Sequence, residues 1–198
     1  MKKSVVIIGG SIAGLTSALI LASAKSDALD FDITVIDNGK ADLDNVAIYN
    51  VPLFPRGITG EEIKKQTKAQ IDGLLKVKYV TGKVSEVTGT KGNLSTKGEG
   101  IDLKSDYVIL ATGAGSFDIK GLGDIVRDHP LMNKPNKIRL EYKGRQEVAS
   151  GVYVAGLASG VTSMVTAAIG SASEAACAIL SDIEGKVVVI HDTPATRK

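Results

Sequence analysis

Near the start of the chain four β-branched residues run straight into a glycine turn, and no other stretch limits the accessible folds as strongly. Val5-Val6-Ile7-Ile8 leads into Gly9-Gly10-Ser11-Ile12-Ala13-Gly14-Leu15. Branched side chains pack well on a pleated surface, so Val5 to Ile8 predicts a short buried strand. Ala13 to about Lys25 predicts a helix, with bulky Leu15, Leu19, Ile20 and Leu21 around small Ala18 and Ala22. Gly9 suits a turn closed to residues with a Cβ, and Gly14 lets helix and strand pack closely. The helix start then aims its free N–H groups and positive dipole end at whatever lies above the strand.

Strand, glycine turn and helix form the first unit of a dinucleotide-binding βαβ fold, where those N–H groups meet a pyrophosphate. The fingerprint G-x-G-x-x-G is imperfect here. Gly9 and Gly14 fill its first and third places, but Ser11 fills the second, where backbone approaches the phosphates most closely. Serine is small enough to fit and has a hydroxyl to donate. A tight turn that binds nothing also fits these residues. The second predicted strand, Phe31 to Asp37, weighs against that. It ends in an acid 23 residues after Gly14, near the interval of about 20 expected of a ribose-binding carboxylate. Such a carboxylate accepts hydrogen bonds from a ribose diol and repels a 2′-phosphate. Asp37 and the adjacent Asn38 are therefore candidate cofactor-binding residues, with Gly9, Gly10, Ser11, Ile12, Ala13 and Gly14.

Residues 39–60 are rich in Pro, Gly, Asn and Asp and are expected as a long loop. Thr59-Gly60-Glu61-Glu62 has the form of a capping box, which predicts a helix to about Asp72 with Gly73 at its end. From Val77 to Ala111 the pattern turns to period two, which predicts an antiparallel meander against the main sheet. Val84, within it, is a further candidate for the site. Tyr107-Val108-Ile109-Leu110 predicts another buried strand, entering the small-residue turn Ala111-Thr112-Gly113. Residues 116–136 are expected as loop, and Ile138 to Tyr142 as a short strand. Gly151 to Gly156 repeats the strand–glycine signal. The longest helix is predicted from about Thr162 to Ile183, and Val187 to Ile190 as an added edge strand.

Charge and composition exclude several classes. A net charge of +2 with 23% charged residues gives no concentrated basic face for nucleic acid. The apolar runs are too short to span a bilayer, so no membrane is expected. The only cysteine, Cys177, rules out an internal disulfide and a Cys-x-x-Cys pair, and suits a reducing cytoplasm. It is expected as an inert buried thiol in a small-residue helix. His129 and His191 are expected to be exposed and solvated. No metal set and no catalytic side chain are assigned.

Taken together, these motifs resemble the FAD domain of the thioredoxin-reductase-like flavoproteins, the small pyridine nucleotide-disulfide oxidoreductases. Gly9 to Leu15 resembles their FAD fingerprint, and its serine variant also resembles that of some flavin monooxygenases. Asn50 before Val51-Pro52 resembles the asparagine of the loop facing the flavin. Ile58-Thr59-Gly60-Glu61-Glu62 resembles the entry to the next helix, Ala111-Thr112-Gly113-Ala114 the central Ala-Thr-Gly turn, and Gly151 to Gly156 with Val165-Thr166-Ala167-Ala168 the closing segment. The resemblance implies an α/β fold over residues 1–198, a single Rossmann-like FAD/NAD(P)-binding domain with a mostly parallel sheet and a small antiparallel meander. It implies FAD lying extended, its isoalloxazine near Asn50, Thr112 and Met164, and a homodimer.

Three departures qualify what is implied. Only residues 115–150 lie where the family inserts an NAD(P)H-binding domain, and they hold no second glycine fingerprint. The redox Cys-x-x-Cys is missing. Gly156 is followed by Leu157 where the family has an aspartate on the flavin ribityl chain. Losing a charge-assisted hydrogen bond costs about 1.5–3 kcal/mol. The expected function is an FAD-binding oxidoreductase-like protein reduced by a partner protein or by directly docked NAD(P)H; the alternative is a non-catalytic FAD or adenine-nucleotide binding module.

Overall fold

In the computed structural model, which describes residues 1–191, β1 spans Lys2–Ile8. Its alternation organises the layers. Val5 and Ile7 join one core cluster, Val6 and Ile8 another. Successive strand side chains point to opposite faces, so two buried faces require two covering layers. After β1 come α1 (Ile12–Ser23) and β2 (Asp30–Asp37), which runs parallel to β1 with Val5 opposite Ile33 and Ile8 opposite Ile36.

Residues 39–60 are more ordered than their composition suggests. They carry a 3₁₀ turn at Asp42–Asn45 and an antiparallel ribbon of β3 (Ala47–Ile48) and β4 (Ile58–Thr59). Leu43 and Ile58 anchor this stretch in the core. Two-residue strands show no period, so the sequence gives no sign of them. The capping box then opens α2 (Gly60–Asp72) as expected. The Glu62 N–H donates to Thr59 Oγ1 at 3.2 Å, and the Thr59 N–H donates to the Glu62 carboxylate at 2.9 Å.

β5 (Lys78–Thr81) pairs in parallel with β2, so Tyr79 and Val80 close the edge of the main sheet and do not begin the meander. Alternation alone does not distinguish a parallel edge strand from an antiparallel one. The meander itself is β6 (Val84–Thr90), β7 (Asn93–Gly98) and β8 (Ile101–Ser105). β9 (Tyr107–Leu110) returns beside β1. β10 (Val126–Asp128) pairs with β11 (Ile138–Leu140), so part of 116–136 is strand. β12 (Glu147–Ala149), β13 (Val152–Val154), a 3₁₀ turn at Gly156–Ser159 and α3 (Val165–Glu184) complete the described chain.

The six-stranded sheet has the order β12-β13-β9-β1-β2-β5, parallel except for β12. Helix residues Leu15, Ile63 and Ile179 share a cluster with Val5 and Ile7, whereas Val87 and Leu94 of the meander share one with Val6 and Ile8. The fold is thus α/β in three layers, helices on one face of the sheet and the meander on the other. The expected edge strand at Val187 to Ile190 does not form. Gly185, at φ 66°, turns the chain after α3, and the Val188 N–H donates to Ser181 Oγ at 3.0 Å. Val188 and Ile190 pack against the helix-side core while Val187 and Val189 face outward. The alternation is real, but its inner face meets helix residues.

At the N-terminal edge of the sheet, the Tyr107 hydroxyl donates to Asp182 Oδ2 at 2.7 Å, and Lys91 Nζ donates to Asp182 Oδ1 at 2.9 Å. This links β9, α3 and the β6–β7 turn. Burial, then the Asp182 contact, pushes the Tyr107 phenol above its ordinary range; burial also raises Tyr153, and takes Tyr79 up to about 12. A raised folded-state pKa contributes stability that is fully present below the unfolded value, about 10 for tyrosine, and is lost as pH rises beyond it. Denaturant melts are expected to weaken steadily above about pH 10, in step with tyrosinate absorbance. A midpoint indifferent to that ionisation would contradict the burial of these phenols.

Candidate functional site

β1 is the switch point of the sheet. The chain builds outward from it through β2 and β5 on one side and through β9 and β13 on the other. Open α/β sheets bind ligands beyond the carboxyl ends of the strands at such a point. A cleft of about 830 Å³ lies there, within the roughly 300–1,000 Å³ usual for small-molecule sites.

The glycine turn forms its floor. Gly9 has φ 114°, and a Cβ on it would stand 2.2 Å from the Ala111 carbonyl oxygen. A Cβ on Gly10 would stand 2.7 Å from Asp37 Oδ2. Gly14 sits further along α1 and does not line the cleft; a Cβ there would stand 1.9 Å from the Gly9 carbonyl oxygen. The other fifteen expected site residues all line it: Gly9, Gly10, Ser11, Ile12, Ala13, Asp37, Asn38, Asn50, Val84, Ala111, Thr112, Gly113, Gly156, Leu157 and Met164. Lys40 and Lys137 also line it, and neither forms an ion pair among the described residues. Sequence reading missed both, since Lys137 arrives only through the β10–β11 connection. Lys83 and Asp118 pair at its rim, and the lysine holds the Asp118 carboxyl below its ordinary range.

The three long helices begin differently. α2 caps itself and carries Glu61 and Glu62 in its first turn. α1 begins at Ser11, whose hydroxyl makes no capping bond, and has no acid in its first turn. α3 begins at Met164 with no side-chain cap and no acid either. The two uncapped starts are the two that face the cleft. Their N–H groups favour an anion.

Polar groups are spread along the cleft. Asp37 stands at one end, its Oδ1 accepting from the Gly39 N–H at 3.2 Å. Thr112 Oγ1 is buried with no hydrogen-bond partner among the described residues. It shares this with the Ser95, Thr96 and Ser105 hydroxyls of the meander, so it does not by itself mark a ligand contact. Asn50 Nδ2 lies 3.8 Å from Met164 Sδ, which brings the loop and the start of α3 together. Asp37 ends β2 and Leu157 follows β13, three strand spacings away, or about 14 Å. A ligand touching both is extended. Uncapped helix starts and the glycine floor fit an extended ligand that carries an anionic group.

The turn at Gly156–Ser159 is held by a closed ring of hydrogen bonds. The Gly156 N–H donates to Ser171 Oγ at 3.0 Å, Ser171 and Ser159 hydroxyls meet at 2.7 Å, and Ser159 Oγ donates to the Gly156 carbonyl at 2.7 Å. His129 holds the next residue. It is buried, contrary to the expectation of a solvated histidine, because the β10–β11 hairpin folds its side chain under Leu157. His191 is exposed. Cys177 is half-buried in α3, away from the cleft, and burial raises its thiol pKa, as expected of an unreactive cysteine. Among the described residues no group of side chains could hold a metal, and no helix is long and apolar enough to cross a membrane.

A family model described as pyridine nucleotide-disulphide oxidoreductase matches residues 3–197. No curated protein matches. Solved structures do. One is a thioredoxin reductase from Gloeobacter violaceus, with TM-score 0.77 and 13% identity over 97% of this chain and 99% of that one. An oxidoreductase from Agrobacterium tumefaciens has TM-score 0.74 and 16% identity over 93% and 99%. The atypical thioredoxin reductase TRi from Desulfovibrio vulgaris Hildenborough has TM-score 0.70 and 16% identity over 94% and 100%. At these identities the likeness is one of fold.

Proposed function

The chain belongs to the pyridine nucleotide-disulphide oxidoreductase family, and from that premise we propose that it is a one-domain FAD-binding oxidoreductase-like protein. Its electrons come from a partner protein or from NAD(P)H docked without a domain of its own, residues 115–150 being a short connection in place of that domain. A single cysteine leaves no internal dithiol to relay them.

When bound, the flavin supplies hydride and single-electron transfer. The chain's own residues bind and orient it. The N–H groups at the start of α1 take the pyrophosphate, over a floor that glycines keep open. Asp37 accepts from the adenosine ribose. Asn38 and Val84 flank that end. Asn50, the Ala111-Thr112-Gly113 turn, Gly156, Leu157 and the start of α3 at Met164 form the flavin end. With Leu157 in place of a carboxylate, affinity there is lower by about one to two decades than a charge-assisted hydrogen bond would give. No side chain is assigned a catalytic role.

Two uncapped helix starts, those of α1 and α3, facing one cleft over a glycine floor carry this reading. It is tested by the visible absorption spectrum of the purified protein, before and after addition of FAD and desalting. A retained flavin band is expected, and a protein that stays colourless with FAD in excess would refute it. The leucine at 157 favours a second reading, a non-catalytic nucleotide-binding module. Anaerobic NADH separates the two, because bleaching of bound flavin without a partner excludes a purely non-catalytic role. The homodimer implied by the resemblance is checked by sedimentation of the same sample.

A further inference from the structure

We propose that His129 is a positioning residue of the flavin end of the cleft, holding the Gly156–Leu157 backbone in place where the chain lacks a side-chain carboxylate. This inference rests on the flavin reading above.

The hydrogen bonds of the imidazole fix its state. The Leu131 N–H lies 3.2 Å from Nδ1, and an N–H only donates, so Nδ1 is bare. Nε2 lies 3.1 Å from the Leu157 carbonyl oxygen, which only accepts, so Nε2 carries the proton. The ring is therefore neutral, in a single tautomer, and buried with both nitrogens used. The Leu157 carbonyl also accepts from the Gly160 N–H at 3.0 Å. With both lone pairs occupied, this carbonyl is held back into the protein.

Leu157 lines the cleft, whereas His129 does not. The histidine therefore acts on a ligand only through the turn. The serine ring fixes the preceding peptide from the α3 side, and His129 fixes the next from the hairpin side. The same hairpin reaches the other turn of the flavin end, where the Ile138 N–H donates to the Ala114 carbonyl at 3.1 Å. The connection of residues 115–150 thus braces both turns at that end. Rigid backbone lowers the ordering cost of binding and offsets part of what Leu157 forgoes.

The test compares two ligands that share the Asp37 end. His129→Phe keeps the ring and removes both hydrogen bonds; His129→Gln keeps a donor and an acceptor. Each is titrated with FAD and with ADP, alongside the unaltered protein. His129→Phe is expected to weaken FAD about tenfold, the value of roughly one hydrogen bond, while ADP changes less than about twofold. His129→Gln is expected to restore most of the FAD affinity. Loss of FAD and ADP in parallel, or unchanged FAD binding by a folded His129→Phe, overturns the positioning role alone. An unaltered protein that binds ADP but no FAD overturns the flavin reading and this inference with it. If His129→Phe does not fold, nitrogen NMR of the unaltered protein decides. A bare Nδ1 with a protonated Nε2, perturbed by FAD and indifferent to ADP, is expected; the opposite tautomer, or no response to FAD, overturns the proposal.

Discussion

Alanine at position 14 is expected to destabilise the fold by about 3 kcal/mol and to abolish measurable FAD binding. Two effects oppose each other there. In a helix alanine is better than glycine by about 1 kcal/mol. The added Cβ, however, would stand 1.9 Å from the Gly9 carbonyl oxygen. Both sides of that contact are main chain, so no rotamer change relieves it. α1 must lift away from β1, which strains the core that Leu15 and Ile7 share and displaces the helix start from the cleft floor. Overpacking ordinarily costs about 1–3 kcal/mol, and a contact without a soft partner belongs at the top of that range. The midpoint of urea unfolding measures the first part and an FAD titration the second. A Gly14→Ala protein more stable than its parent would show that propensity wins and that the close approach is tolerated.

Asp37→Ala is expected to weaken FAD and ADP binding together, by about 1–3 kcal/mol. The carboxylate ends β2 beside Gly10, close enough that a Cβ on Gly10 would meet it at 2.7 Å. Its Oδ1 already accepts from the Gly39 N–H, which keeps the side chain oriented before a ligand arrives. If this oriented anion holds the ribose, it serves both ligands, since both carry the adenosine ribose. Asp37→Asn retains an acceptor and the side-chain size, so its loss is expected to be smaller. If isothermal titration gave the alanine variant the parent's affinity for ADP, the ribose would lie elsewhere. With His129 tested by the difference between the same ligands, the two ends of the cleft are separable by mutation.

The sequence made the first half of the fold readable because each local signal there had one physical outcome. Four branched residues, a glycine turn and a terminal acid define β1, α1 and β2, and the observed elements agree to within a few residues. The Thr59–Glu62 box was legible for the same reason, since capping is a contact between near neighbours. What escaped depends on distant partners. Lys78–Thr81 alternates like a meander strand, but its pairing with β2 decides its place. Val187 to Ile190 alternates like an edge strand, but its inner side chains meet the helix-side core. His129 looked like a loop histidine because its partner, Leu157, is 28 residues away. Thr112 was read from its motif; that it lines one cleft with Asp37 and Met164 is visible only in three dimensions.

The contrast between the self-capped α2 and the open α1 and α3 bears on how long the protein lasts. Two of the three long helix starts among the described residues have no side-chain cap, so an anion bound there adds to the free energy of unfolding. A ligand held at a hundred times its dissociation constant contributes about 2.7 kcal/mol. Differences of that size change the fraction of chains exposed to proteases, and with it steady-state abundance, several-fold. The lifetime of this chain is thereby expected to follow the supply of whatever fills the cleft, and scarcity of that compound to lower its abundance several-fold.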